Sequence, residues 1–405
     1  MINEADFSTL GLSDEMLAAV QAKGFESPTS IQRLTIPRLL SGENDIIAQS
    51  QTGTGKTAAF GLPILQQIEP SKEGVQSIIL VPTRELAVQA AEELLSYNRE
   101  RRLSITAIYG GAAMSEQLRR LSRGVDIVVG TPGRVLDHIR RGTLKLDKVR
   151  FLVLDEADEM LNMGFLEDME TILSQLPEER QTLMFSATMP PVIAGFAKWC
   201  LTDPAEVTIA RREVAATISH AFYPVALDQR DELLLALLKG TDFRSVMIFT
   251  RTRKEADAVC GMLKHHGYRG EVAVMHSDIP QKERMEALKG FKSGKYDILV
   301  ATDVAARGID ISGVTHVINY RVPENAEDYV HRIGRTGRAE ASGDAFTIMT
   351  ADELDFAAAV ENFIGKPIER KKLDGFNYTY TALLEDKPVK SVRKPKPAGP
   401  KRRRR

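Results

Sequence analysis

The sequence predicts an α/β protein: two doubly wound parallel-sheet domains in tandem, joined by a short linker and followed by a basic tail. Three observations predict it. The chain has 405 residues, too long for one ordinary core. Short apolar, β-rich runs alternate with helical patterns, which means parallel sheets covered on both faces. A glycine-rich loop and a cluster of acids each follow such a run, and ligands sit at strand C-termini in sheets of this kind.

In chain order, a strand-like run at 45–48 precedes strands at 77–81, 126–129, 151–154 and 182–185. The second half carries strands at 245–249, 271–275, 297–300, 316–319 and 345–349. Helices are expected between them, for example at 85–97 and 254–265. Pro204 and the polar Arg211-Arg212-Glu213 mark a boundary. The expected division is 1–207, a linker at 208–217, a second domain at 218–370, and a tail at 371–405. Met160, Met163 and Trp199 are expected in the core, and His265 and His266 at the end of a surface helix.

Composition is that of a soluble globular protein, 43% hydrophobic and 27% charged. Two cysteines, Cys200 and Cys260, make no disulfide framework, and no zinc spacing is present, so a reducing cytoplasm is expected. Residues 1–11 lack the apolar stretch of a secretory signal, and no apolar run reaches a membrane span's length, so no membrane partner is expected. The net charge of −1 conceals an asymmetry. Residues 387–405 hold ten Lys or Arg and no acid, which leaves −11 for residues 1–386. A Pro-rich basic tail cannot bury a core, so disorder and a polyanion partner are expected of it.

Two motifs carry chemistry. In Thr52-Gly53-Thr54-Gly55-Lys56-Thr57, glycines let backbone N–H groups turn onto phosphate oxygens at a helix N-terminus. Lys56 is expected at the β- and γ-phosphates and the Thr57 hydroxyl on Mg²⁺. Ser50 stands where the general phosphate-loop motif has glycine. After the apolar 151–154 comes Asp155-Glu156-Ala157-Asp158, and carboxylates at the end of a buried strand are costly unless something cationic meets them. Asp155 is expected to bind Mg²⁺ and Glu156 to position and polarise the attacking water. Together they describe hydrolysis of ATP.

With these motifs in order, the chain resembles the DEAD-box ATP-dependent RNA helicases over about residues 7–338. The resemblance implies two RecA-like domains. Gly24-Phe25 and Pro28-Thr29-Ser30-Ile31-Gln32 resemble the adenine-recognition motif, with Phe7 upstream stacking on the base, Phe25 beside it and Gln32 reading its edge. Pro82, Thr83, Arg84, Gly111, Thr131, Pro132, Gly133 and Arg134 resemble the RNA-binding elements of the first domain. Thr250, Arg251, Arg284, Thr302 and Asp303 resemble those of the second. Asp310 would reach the ATP ribose, and Arg335 and Arg338 would be arginine fingers. Asp158, with the hydroxyls of Ser186 and Thr188 bonded to it, would couple hydrolysis to strand separation, as would Arg307, His331 and Arg332. Catalysis would rest on Lys56, Asp155, Glu156, Arg335 and Arg338.

The resemblance implies RNA-stimulated ATP hydrolysis coupled to local, non-processive unwinding of short RNA duplexes by two-domain closure. It leaves open an ATP-gated RNA clamp with little intrinsic unwinding. Gln32 and the spelling of residues 155–158 count against a DNA helicase of the wider superfamily. RNA held by its backbone, without sequence choice, is the expected partner. A monomer is expected. Ribosome assembly, RNA decay and cold adaptation all remain open as settings, and protein partners from the first two with them.

Overall fold

The computed structural model describes residues 6–42, 44–50, 54–71, 73–209, 218–266, 270–306, 311, 314–337 and 343–379. Thr52, Gly53, Arg307, Asp310, Arg338, linker residues 210–217 and tail residues 380–405 lie outside the described residues.

The first sheet holds β1 (Ile46–Gln49), β2 (Ser77–Leu80), β3 (Ile105–Ile108), β4 (Ile127–Gly130), β5 (Phe151–Leu154), β6 (Gln181–Ser186) and β7 (Ala205–Thr208). Their spatial order is β3-β4-β2-β5-β6-β1-β7, with every pairing parallel. The second sheet holds β8 (Ile218–Pro224), β9 (Val246–Thr250), β10 (Val272–Met275), β11 (Ile298–Thr302), β12 (His316–Asn319) and β13 (Gly343–Met349). Its order is β10-β11-β9-β12-β13-β8, again parallel throughout. Each sheet separates two apolar clusters, one under the helices of each face.

The central strands β2, β4 and β5 are buried at every position, which is why they read as continuous apolar runs. The edge strands do not. β3 alternates half-buried with buried positions, and β7 (Ala-Glu-Val-Thr) buries only Val207. Neither was expected from sequence, because an edge strand needs no second apolar face. β7 lies at the end of the expected first domain, at Ala205–Thr208.

β8 was also missed, since Ser219 and His220 interrupt its apolar pattern. Its outer edge is covered by chain near residue 370. The Phe222 N–H donates to the Glu369 carbonyl at 2.8 Å, and the Lys371 N–H donates to the Phe222 carbonyl at 2.8 Å.

Three expectations need correction. The tail does not leave the domain at residue 371: Leu373, Phe376 and Tyr378 pack on the second domain's core. Gln229 Nε2 donates to the Asn377 carbonyl at 2.8 Å. The apolar spacing of those three residues gives them a surface to bury, despite the basic sequence around them. Met160 is buried as expected, but Met163 is 37% exposed and Trp199 is 55% exposed.

Candidate active site and nucleic-acid cleft

The order β5-β6-β1 sets three strand ends side by side. The phosphate loop after β1, Asp155 after β5 and Ser186 at the end of β6 therefore meet, although the loop lies about a hundred residues before Asp155 in the sequence. Ligands of parallel sheets bind at such ends.

After β1 the chain enters the helix Lys56–Gln67 through Gly55, whose φ is 88°. Only glycine adopts that conformation at no steric cost, and a Cβ there would lie 2.4 Å from Gln32 Nε2. Gln32 and Thr29 brace the loop from behind. Gln32 Nε2 donates to the Gly55 carbonyl at 3.2 Å, and Thr29 Oγ1 donates to the Thr54 carbonyl at 2.8 Å. The Gln32 Oε1 accepts from the Thr29 N–H at 2.9 Å, so these contacts use one N–H and one lone pair of the amide.

Lys56 and Asp155 are both buried, with Nζ 3.3 Å from Oδ1, an ion contact without hydrogen-bond geometry. Burial opposes the Lys56 charge, but Asp155, Glu156 and Asp158 outweigh it and hold the ammonium above its ordinary range. Thr57 stands one residue into the same helix. The Asp155 carboxylate and Thr57 hydroxyl are hard oxygen donors, which suit Mg²⁺ when phosphate oxygens and water complete its shell. Among the described residues no cluster of His, Cys, Asp or Glu could hold a metal by protein ligands alone.

Glu156 has φ 55° and ψ 50°, a left-handed conformation that costs a non-glycine residue on the order of 1–3 kcal/mol. Its side chain is 6% exposed. Burial pushes its carboxyl up to about 7; Lys56 pulls down, Asp155 pushes up, and Arg335 of the second domain pulls down. Arg335, itself 5% exposed, thus acts on an acid of the first domain. The two domains share one electrostatic site.

Asp158 Oδ2 accepts from the N–H groups of Ala187 at 3.0 Å and Thr188 at 2.8 Å, and from Thr188 Oγ1 at 3.0 Å. The Ser186 hydroxyl does not join them, which corrects the expectation for it. It donates to the Thr188 carbonyl at 2.6 Å. Phe7 needs a correction too: at 3% exposure its ring belongs to the core and has no free face, whereas Phe25 is 39% exposed.

Further along the same C-terminal edge of the sheet, past the ends of β2 and β4, a cleft of about 600 Å³ gathers Pro82, Thr83, Arg84, Thr131, Gly133 and Arg134. Thr83 caps the helix Arg84–Tyr97, and Pro132 opens the helix Pro132–Arg140, so two helix N-termini face this space. Arg84 lies across Gly111, where a Cβ would come within 2.2 Å of its Nη1. Arg134 Nη1 donates to the Ala112 carbonyl at 3.2 Å. The second domain contributes Ser277, Arg284 and Val304 to the same cleft.

Other expected contacts of the second domain are buried or held by partners within that domain. Thr250 is fully buried. Arg251 pairs with Glu324 at 3.2 Å and donates to the Val322 carbonyl at 3.3 Å. Thr302 is 6% exposed. Asp303, expected to face RNA or the domain interface, gives both oxygens to Arg332, each at 2.6 Å. His331 is half-buried on the helix Ala326–Ile333.

Sequence reasoning placed Glu85 and Gln281 only within segments resembling RNA-binding elements and assigned no role to Glu353. Glu85 Oε1 accepts from Gln281 Nε2 at 2.9 Å and pairs with Arg284 at 2.8 Å, across the two domains. Glu353, 0% exposed, draws in Arg230 at 3.0 Å, Arg321 at 3.4 Å and Arg251 at 3.6 Å. Glu85 directly follows Arg84 and Gln281 stands three residues before Arg284, so their position was visible but their pairing was not.

Two family models match the chain. The DEAD/DEAH box helicase model covers residues 29–195, and the helicase conserved C-terminal domain model covers residues 229–340. The chain is 47% identical to the ATP-dependent RNA helicase CshA of Limosilactobacillus reuteri, over 88% of this chain and 71% of that one. Among solved structures it is similar to Mss116p bound to single-stranded RNA and AMP-PNP, with a TM-score of 0.84 and 28% identity over 93% of this chain and 81% of that one. It is also similar to S. cerevisiae Dbp5 bound to RNA and ADP BeF3, with a TM-score of 0.82 and 31% identity over 91% of this chain and 95% of that one. The two parallel sheets, the acids and phosphate loop at their strand ends, and these likenesses agree: the chain belongs to the DEAD-box ATP-dependent RNA helicase family.

Proposed function

We propose that this helicase couples RNA-stimulated ATP hydrolysis to local, non-processive unwinding of short RNA duplexes by closing its two domains on one strand. The observation that carries the reading is the cleft lined by both domains, where Glu85 of the first domain holds Gln281 at 2.9 Å and Arg284 at 2.8 Å from the second. Lys56 meets the β- and γ-phosphates at the helix N-terminus. Asp155 and Thr57 would hold Mg²⁺, which would supply neutralisation of the charge on the phosphates. Glu156 orients the attacking water and draws on its proton. Arg335 and Arg338 stabilise charge on the γ-phosphate and are present only when the domains meet.

The cleft grips a sugar-phosphate backbone through Arg84, Arg134 and Arg284 with the two helix N-termini, contacts that position a strand and carry little base information. Because nucleotide and RNA both favour the closed arrangement, each raises the affinity for the other. Asp158 links the two sides through Ala187 and Thr188. On this reading the first domain occupies residues 1–207, the second starts at 218, and the enzyme works as a cytoplasmic monomer, with partners in ribosome assembly or RNA decay.

Steady-state hydrolysis with and without single-stranded RNA, beside strand displacement of a short duplex, tests this. Hydrolysis should rise with RNA, and displacement should need ATP binding. Turnover indifferent to RNA would sink the proposal. Displacement absent while ATP-dependent RNA retention persists would favour the clamp.

A further inference from the structure

Beside the cleft runs a buried polar chain that the phosphate grip leaves unexplained. The helix Met114–Leu121 buries Gln117, at 4% exposure, and leaves Leu118 and Leu121 only half-buried. Gln117 Nε2 donates to the Tyr109 carbonyl at 3.0 Å, just before the Gly110-Gly111 turn. Its Oε1 lies 3.2 Å from Nε2 of His138, which is 0% exposed on the helix Pro132–Arg140. Because the amide nitrogen points at Tyr109 and the oxygen at His138, the His138 Nε2 must carry the hydrogen. Nδ1 faces the Thr143 hydroxyl at 2.9 Å, which can donate to it. Burial, and then the Arg134 guanidinium, hold the imidazole pKa below its ordinary value, which keeps the ring uncharged at neutral pH.

One turn earlier on the same helix, Arg134 Nη1 donates to the Ala112 carbonyl at 3.2 Å. Residues four apart on a helix share a face. Arg134 therefore holds one end of the glycine turn while His138, through Gln117, holds the other. The place of this turn matters, because Gly111, at φ 82°, lies against Arg84, and a Cβ there would collide with Nη1. A shift of the turn would move that guanidinium. Apolar contacts let two helices slide, whereas a hydrogen-bonded chain fixes both distance and direction. We infer that Gln117 and His138 are positioning residues for the cleft. Their hydrogen bond sets the Gly110-Gly111 turn against Arg84 and Arg134, and with it the spacing of two guanidinium groups that meet the RNA backbone. Both are buried, so they act through those arginines. The inference rests on the reading of this cleft as the RNA site.

Two substitutions separate the ring nitrogens. His138→Gln carries an amide N–H out to the Nε2 position and can still donate to Gln117, whereas His138→Asn reaches only as far as Nδ1. The test is RNA-stimulated ATP hydrolysis by the full chain, beside single-stranded RNA binding with a non-hydrolysable ATP analogue. His138→Asn should raise the RNA concentration for half-maximal stimulation about tenfold, the loss of one buried hydrogen bond, while kcat at saturating RNA changes by less than about twofold. The dissociation constant for RNA should rise by the same factor. His138→Gln should restore both to within about twofold of the wild type. Imidazole proton–nitrogen NMR of the isotope-labelled wild-type chain should show the neutral Nε2–H tautomer at His138, its signal assigned by its loss in His138→Gln.

His138→Asn binding RNA as tightly as the wild type, or His138→Gln binding as weakly as His138→Asn, would overturn the positioning role and leave the cleft reading in place. An Nδ1–H tautomer would overturn it even if neither variant folded. A wild-type chain that binds no single-stranded RNA would overturn the cleft reading beneath it.

Discussion

Arg284 Nη2 lies 2.8 Å from Glu85 Oε1, with both side chains buried between the two domains. Burial lowers the hold of Arg284 on its charge, and Glu85 opposes that loss. Gln281 donates to the same carboxylate oxygen. Both groups regain water when the domains part, so the pair stabilises closure and not the folding of either domain. A hydrogen bond to a charged group contributes about 1.5–3 kcal/mol. Glu85→Gln should therefore lower RNA-stimulated kcat/KM by roughly tenfold to a hundredfold while the calorimetric unfolding midpoint stays put. A matching loss of thermal stability would show that the pair holds a domain together.

Glu156 carries the pH dependence. Its carboxyl is pushed up to about 7 by burial, and it must be ionised to act on water. Activity should be lost as pH falls below that value and gained as pH rises through it. The kcat/KM profile reports the free enzyme and is the measurement to make. Glu156→Gln should abolish the limb along with most of the rate. A flat profile between pH 5.5 and pH 8 would remove Glu156 as the titrating group.

Arg335→Ala should cost about 10³–10⁵ in RNA-stimulated kcat, the range for an arginine supplied to a γ-phosphate. It also removes a charge that pulls the Glu156 carboxyl down. The residual activity should accordingly show its pH limb displaced upward. Equilibrium binding of a fluorescent nucleotide should change far less than kcat. If binding and kcat fell together, Arg335 would be holding the ground state.

Thr188 and Ser186 should differ. Thr188 Oγ1 donates to Asp158, whereas Ser186 Oγ donates to the Thr188 carbonyl. Thr188→Ala removes one of three bonds to Asp158 Oδ2, a loss of about 1 kcal/mol at a buried carboxylate. It should reduce duplex displaced per ATP hydrolysed more than Ser186→Ala does. Equal effects, measured side by side, would place the coupling elsewhere.

The ten positive charges at residues 387–405 face a remainder carrying −11. Removing them should weaken RNA binding and reduce its salt slope, without changing which sequences bind. Filter binding over a salt series reads both. An unchanged slope would mean that the tail meets no phosphate.

The sequence by itself determined the class of fold, the phosphate loop and its acids, and the positions of the central strands. Those features are local. A strand buried on both faces must be apolar throughout, and a loop that cradles phosphate must place glycine, lysine and threonine at fixed spacing. The tertiary structure decided which of the quoted residues face a ligand. Nothing local to Asp303 showed that Arg332 would take both its oxygens. Phe7 looked like a stacking ring until the core closed over it, and Met163 looked buried until the cleft exposed it. Glu85 and Arg284, almost two hundred residues apart, have no local signature of their pairing. Side-chain partnership across domains depends on how two sheets meet, and no periodicity within either one records that.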